Sequence, residues 1–186
     1  MGLILEVFRD GRRERTTMEP LQPGTKGNAQ ELAIMAGMVR DSAPQPDLRS
    51  FVLREIVPKI PGHKFRSEIE SCFRYARDHI VYRKDPVGVE IVADLWSVLY
   101  AVDPLQPVGD CKKKSTVLAS SLVVLGHVPT FLVLTQQPRD TEFRHVYVGV
   151  MQEDGTCLPL DPTPEDAPSG WQADATMRMM YPIFGE

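Results

Sequence analysis

The stretch GDCKKKSTVLASSLVVLGH, residues 109–127, decides how the chain is built. From Ser115 to Leu125 it is apolar on nearly every side, and a helix of that kind is buried all round. Gly126 stands in the C′ position, where helices commonly stop. At the other end Asp110 is the expected N-cap, its carboxylate accepting the amide of Lys112 or Lys113. Cys111 is then the first helical residue, with its sulfur beside the positive end of the macrodipole and next to three lysines. Such surroundings favour the thiolate. Lys112, Lys113 and Lys114 oppose that dipole, and a sequence shaped for helix stability alone would carry acids there. The lysines are therefore expected to serve something other than the helix.

Downstream of the helix the hydrophobic period changes from 3.6 to 2. VPTFLVLTQ, FRHVYVGVMQ and GTCLPLDPT read as consecutive strands, with turns at Pro138-Arg139-Asp140 and Asp154-Gly155. Upstream the pattern is helical. Asn28 is the expected cap of an amphipathic helix with Leu32, Met35, Ala36 and Val39 on one face. Pro44 and Pro46 end it, and DLRSFVLREIV gives a short helix up to Pro58. In SEIESCFRYARDHIVY, Ser67 and Glu70 form an expected capping box, and Ile69, Phe73, Ala76 and Ile80 make the buried stripe. Cys72 lies beside that stripe as a core thiol, and His79 is a surface or capping residue. Helices first, then a buried helix packed on an antiparallel meander, is an α+β plan.

The expected divisions are a β-hairpin arm and linker over 1–27, a main domain over 28–170 and a docking tail over 171–186. The hairpin, LILEVFRDGRRERTTM, turns at Asp10-Gly11. It either completes the domain's own sheet or pairs with another subunit, because a lone two-stranded ribbon is barely stable. The tail, SGWQADATMRMMYPIFGE, packs on the domain or docks on a partner.

A net charge of −4 offers no basic excess for nonspecific nucleic-acid binding. No stretch approaches the roughly 18 apolar residues of a membrane span. The start, MGLILEVFRDG, has no basic segment before its apolar one and does not read as a secretory signal. Three scattered cysteines suit a reducing compartment rather than a disulfide framework, and the chain has no C-x-x-C pair for structural zinc.

A nucleophilic cysteine needs a base, and the base needs an orienting group. His145 is placed mid-strand, with Phe143 and Tyr147 on its face. Asp161 ends the following strand in LPLDPT. Adjacent strands lie about 4.8 Å apart, so histidine and aspartate can meet if register permits.

GDCKKKS, then HVYV, then LDPT resemble the Cys-His-Asp blocks of the transglutaminase-like branch of the papain-like cysteine hydrolases. The chain is most similar to the small members encoded by bacteriophages, and FRYARDHIVYRKDPVGVE fits the segment those carry before the cysteine block. The resemblance covers roughly residues 64–170. It implies a papain-like core with Cys111 as nucleophile, His145 as general base and acid, and Asp161 orienting the imidazole. It also implies an amide-cleaving peptidase or amidase, acting on peptide or cell-wall peptide bonds, with transamidation equally open. No metal or organic cofactor is called for. The backbone amide of Cys111 is the default oxyanion donor. The second donor is open between Gln106 and Trp96, and Tyr82 is expected in the cleft. Where the family usually carries acids after Gly-Asp-Cys, this chain has Lys112, Lys113 and Lys114, which points to an anionic substrate or an acidic partner surface.

The implied setting is a phage virion, in its tail or baseplate, or the bacterial host cytoplasm, with other virion proteins as partners. The competing expectation is a structural baseplate, tail-tip or neck component on the same scaffold, since folds outlive their chemistry.

Overall fold

The structure, a computed structural model, describes all residues except 1, 10, 11, 19, 23, 58–63, 101–105, 136–142 and 186. Its centre is the helix over Cys111–Val124, which is buried from Lys112 through Leu122. A helix with no solvent face must satisfy its polar side chains internally. Thr116 and Ser121 donate to the carbonyls of Lys112 and Val117, one turn back, and Ser115 Oγ donates 3.1 Å to the carbonyl of Val146. Gly126 follows with φ 90°, the left-handed conformation that closes the helix as expected.

In chain order the strands are β1 (Gly2–Arg9), β2 (Arg12–Met18), β3 (Val81–Tyr82), β4 (Val89–Ala93), β5 (Val108–Gly109), β6 (Pro129–Thr135), β7 (His145–Met151), β8 (Cys157–Leu160) and β9 (Met177–Pro182). The helices are α1 (Thr25–Ser42), α2 (Pro46–Phe51), α3 (Phe65–Asp78), α4 (Leu95–Leu99) and α5 (Cys111–Val124), with a π-helical turn over Val52–Ile56 continuing α2. The architecture is α+β. The antiparallel sheet β8-β7-β6-β9 packs its Val146, Val148 and Val150 face on α5, and the other helices pack around it.

Ile69, Phe73, Ala76 and Ile80 are buried as the period required, and Cys72 is buried with them. Two helix starts differ from expectation. α1 begins at Thr25, and Asn28 instead exchanges hydrogen bonds with the Phe143 backbone, donating at 3.0 Å and accepting at 3.2 Å. α3 begins at Phe65, so Ser67 caps nothing; Glu70 accepts from Ser169 Oγ.

The amino-terminal segment is not an arm. β1 pairs with β2 and also, in parallel, with β4, so the hairpin completes a three-stranded sheet of the main body. The tail also joins the body, because β9 runs antiparallel to the outer edge of β6. The expected turns at Asp10-Gly11 and Pro138-Arg139-Asp140, and Pro58, lie outside the described residues. Among the described residues no helix is long and apolar enough to cross a membrane.

Candidate active site

Cys111 begins α5 directly after β5. Asp110 caps the helix, its Oδ1 accepting from Lys113 N at 3.2 Å. The preceding Gly109 is required by packing, because a Cβ there would lie 2.7 Å from Lys113 Cβ. The Gly-Asp-Cys sequence thus delivers the thiol to the start of a buried helix through a turn that has no room for another side chain.

β7 delivers His145. Val148 pairs with Leu160, and extending that register sets Asp161 across from Tyr147, one diagonal step from His145 on the same face. The side chains close the gap: His145 Nε2 and Asp161 Oδ2 are 2.7 Å apart. Asp161 Oδ1 accepts Thr163 N at 3.0 Å, which fixes the carboxylate's other edge. Because Asp161 occupies Nε2, the ring's other nitrogen is left for the sulfur, and His145 also hydrogen-bonds Cys111. Burial alone would lower the His145 pKa. The bonds to Asp161 and to Cys111, with the negative charge of both, overturn that and raise it to about 10. The ring therefore carries a proton at neutral pH.

Cys111 and His145 line a cleft of about 540 Å³ together with Gln22, Glu31 and Phe143. Glu31 was not anticipated. It lies on the polar side of α1, and no local pattern distinguishes it from a solvated acid. In the fold its Oε1 is shielded from solvent without a hydrogen-bond partner among the described residues. Burial pushes its pKa up to about 7, helped by the negative charges of Glu90, Asp110 and Asp85 and opposed by Lys112.

The three lysines are not free contact groups. Lys112, Lys113 and Lys114 are 7%, 8% and 1% exposed. Lys112 Nζ pairs with Asp85, Glu90 and Asp110, and Lys113 Nζ pairs with Asp85. Lys114 Nζ donates 3.0 Å to the Arg77 carbonyl and 2.8 Å to the Pro162 carbonyl. Their charge is answered inside the protein, so the expected recognition of an anionic substrate by these residues is withdrawn. The oxygens of Asp85, Glu90 and Asp110 converge within 4.8 Å, a spacing that suits a cation, and Lys112 Nζ is the cation they hold.

The remaining candidates separate clearly. Trp96 donates its Nε1–H to Gln45 Oε1 at 3.1 Å and stacks on Tyr100, so its indole is committed away from the sulfur. Gln106 is exposed and does not line the cleft. Tyr82 is 38% exposed and, contrary to expectation, does not line the cleft. It pairs with Gly109 across β3 and β5, and its pKa is raised by burial and by the negative charges of Cys111 and Asp110. The other thiols are structural. Burial pushes both Cys72 and Cys157 up, and Cys157 packs against Gly149. His127 is buried against Phe65, with Nε2 3.1 Å from Glu68 Oε2, away from the cleft.

No family model matches the sequence, and no curated protein matches it either. Among solved structures, a crystal structure of a "putative protease" from Parabacteroides distasonis aligns with 88% of the chain at a TM-score of 0.54 and 13% identity. What the two share is a fold. The chain spans 36% of that protein's length, about a third.

Proposed function

We propose that the chain is a cysteine acyl-transfer enzyme with a papain-like, transglutaminase-like core, acting on amide bonds of peptides and of the peptide part of bacterial cell wall. The observation that carries this reading is the shared histidine. One imidazole bonds the Asp161 carboxylate at 2.7 Å and the Cys111 thiol, at the mouth of a cleft large enough for a peptide segment. The order of the GDC, HVYV and LDPT blocks supports it, as does the fold shared with a protein described as a protease.

In this mechanism His145 already holds the proton, and the Cys111 sulfur attacks the amide carbonyl carbon as the thiolate. The developing oxyanion faces the helix start, where the Cys111 amide donates, and the Tyr82 hydroxyl is the second donor in preference to Gln106 or Trp96. The C–N bond breaks as His145 returns its proton to the leaving amine, leaving a thioester. Water then gives a proton to His145, attacks the acyl carbon and releases the acid, and the sulfur leaves as the thiolate beside the protonated ring. An amine in place of that water completes a transamidation through the same residues. Asp161 keeps the ring oriented and steadies its charge throughout.

The test is a wall-degradation zymogram, in which purified chain, Cys111→Ala and Asp161→Asn are compared on bacterial wall and on a peptide amide. Clearing by the unaltered chain and its loss in Cys111→Ala are expected. Equal clearing by Cys111→Ala removes the enzyme reading. Turnover of the peptide amide without clearing of wall removes only the wall substrate.

A further inference from the structure

A second cavity, about 560 Å³, opens on the far side of Asp85 from the cysteine cleft. One face of the hairpin sheet forms a wall. β2 residues Arg13 and Arg15 alternate onto that face and lie beside Glu6 of β1. The turn after β3 supplies Arg83 and Lys84, α4 supplies Ser97, and Lys113 forms the floor.

The charges do not balance. Among the described residues, five cationic side chains line the cavity against two carboxylates, Glu6 and Asp85. Both carboxylates are already engaged, Glu6 with Arg15 and Asp85 with Lys113. Arg13, Arg83 and Lys84 remain as excess positive charge. Arg13 donates through one terminal nitrogen to the Tyr100 carbonyl at 2.9 Å, while its Nε is buried without a partner. Ser97 is 1% exposed, and its Oγ likewise has no partner. Both atoms are sealed from solvent behind the cavity wall, so the charge that faces the cavity comes from Arg13, Arg83 and Lys84. Among the described residues Asp94 is a further acid, beside Ser97. Its oxygens are turned to Phe8 N at 3.0 Å and Ser97 N at 2.7 Å, and it does not line the cavity.

We propose that this basin is a binding site for a small phosphoryl anion, a phosphate monoester or diphosphate group carrying two to three negative charges. Two guanidinium forks suit the paired oxygens of a phosphoryl group, and Lys84 supplies a third positive charge. The site is separate from the cleft and does not depend on what Cys111 does. The catalytic cysteine lies beyond Asp85, whose carboxylate contacts both Lys113 here and Lys112 there.

The test titrates the intact chain with inorganic pyrophosphate at low salt, followed by calorimetry and by amide NMR shifts, with citrate as a polycarboxylate of similar charge. One saturable site is expected, with shifts at Arg83, Lys84, Ser97 and Gly109 and affinity that falls as salt rises. The double variant Arg83→Ala/Lys84→Ala changes exposed side chains only, so the fold survives it, and it weakens binding at least about tenfold. Arg13→Ala weakens it severalfold, and Arg66→Ala, an exposed change on α3, leaves it unaltered. The proposal is overturned if pyrophosphate does not saturate, if the double variant binds as tightly as the unaltered chain, or if citrate binds equally well.

Discussion

The Asp161→Asn substitution tests the physics of the site most directly. His145 has been moved from an ordinary 6.5 to about 10, against a burial effect of opposite sign. That displacement corresponds to about 5 kcal/mol between the two protonation states, supplied by Asp161 and Cys111 together. Asparagine keeps the shape of the carboxylate and removes its charge, and a charged hydrogen bond of this kind contributes about 2–3 kcal/mol. The His145 titration should therefore fall by about two pH units. The sign for stability follows. A histidine whose folded pKa is raised contributes stability in full below pH 6.5 and loses it as pH climbs through 10. Asp161→Asn should accordingly cost about 2–3 kcal/mol at pH 7, with the deficit shrinking between about pH 8 and pH 10. Imidazole NMR across pH 5–11 reads the first quantity, and urea denaturation at matched pH reads the second. Cys111→Ala serves as the companion, because removing the sulfur lowers the titration while leaving the Asp161 contribution in place. A His145 that titrates near 6.5 in the unaltered chain, or one indifferent to Asp161→Asn, refutes the reasoning.

Three further outcomes follow from the same geometry. Intact-mass analysis after brief iodoacetamide exposure at pH 7 should find the first adduct on Cys111, because burial holds Cys72 and Cys157 as thiols; equal labelling of Cys157 contradicts an activated nucleophile. Glu31, raised from 4.5 to about 7, gives the fold stability that is present below pH 4.5 and lost as pH rises to 7. Glu31→Gln should remove that slope, so chemical denaturation at pH 4 and pH 8 should show the variant gaining up to about 3 kcal/mol relative to the unaltered chain, and parallel pH profiles would show the carboxyl to be ordinary. Lys114→Met leaves the Arg77 and Pro162 carbonyls without their donor and should cost about 2–4 kcal/mol in urea denaturation, whereas a loss under 0.5 kcal/mol would show the ammonium to be dispensable.

The central helix, the three-strand meander after it and the Cys-His-Asp order were legible because each is written in local pattern: apolar residues on all sides, alternation of period 2, and chemistry at element ends. What was not legible depends on contacts distant in sequence. Asn28 looks like a cap and instead ties α1 to the Phe143 backbone, 115 residues away. The hairpin becomes part of the body only because the short VEIVA segment offers β1 a parallel edge, and a five-residue strand carries almost no signal of its own. Glu31 looked like any solvated acid on a polar helix face, until Cys111, Lys112 and His145 arrived on the same side.

The lysines show how a correct local inference can point the wrong way. Cations in the first turn of α5 conflict with its dipole, so a second purpose was required. The natural inference was a ligand outside the protein, but each ammonium instead ties the start of α5 to a different neighbour. Lys112 holds Glu90 of β4, Lys113 holds Asp85 of the turn after β3, and Lys114 holds the Pro162 carbonyl beside Asp161. The carboxylates offset the unfavourable helix-end charge, and the Pro162 bond links the cysteine's own helix to the loop that carries its orienting acid. Rigidity of that kind is what a sulfur, an imidazole and a carboxylate from separate segments need, because misplacement by about 1 Å costs about two orders of magnitude in rate. The same arrangement explains why a lysine-rich motif does not make the cleft cationic: Lys112 is consumed in ion pairs with Asp85, Glu90 and Asp110, and Glu31 and Glu90 line the cleft beside it.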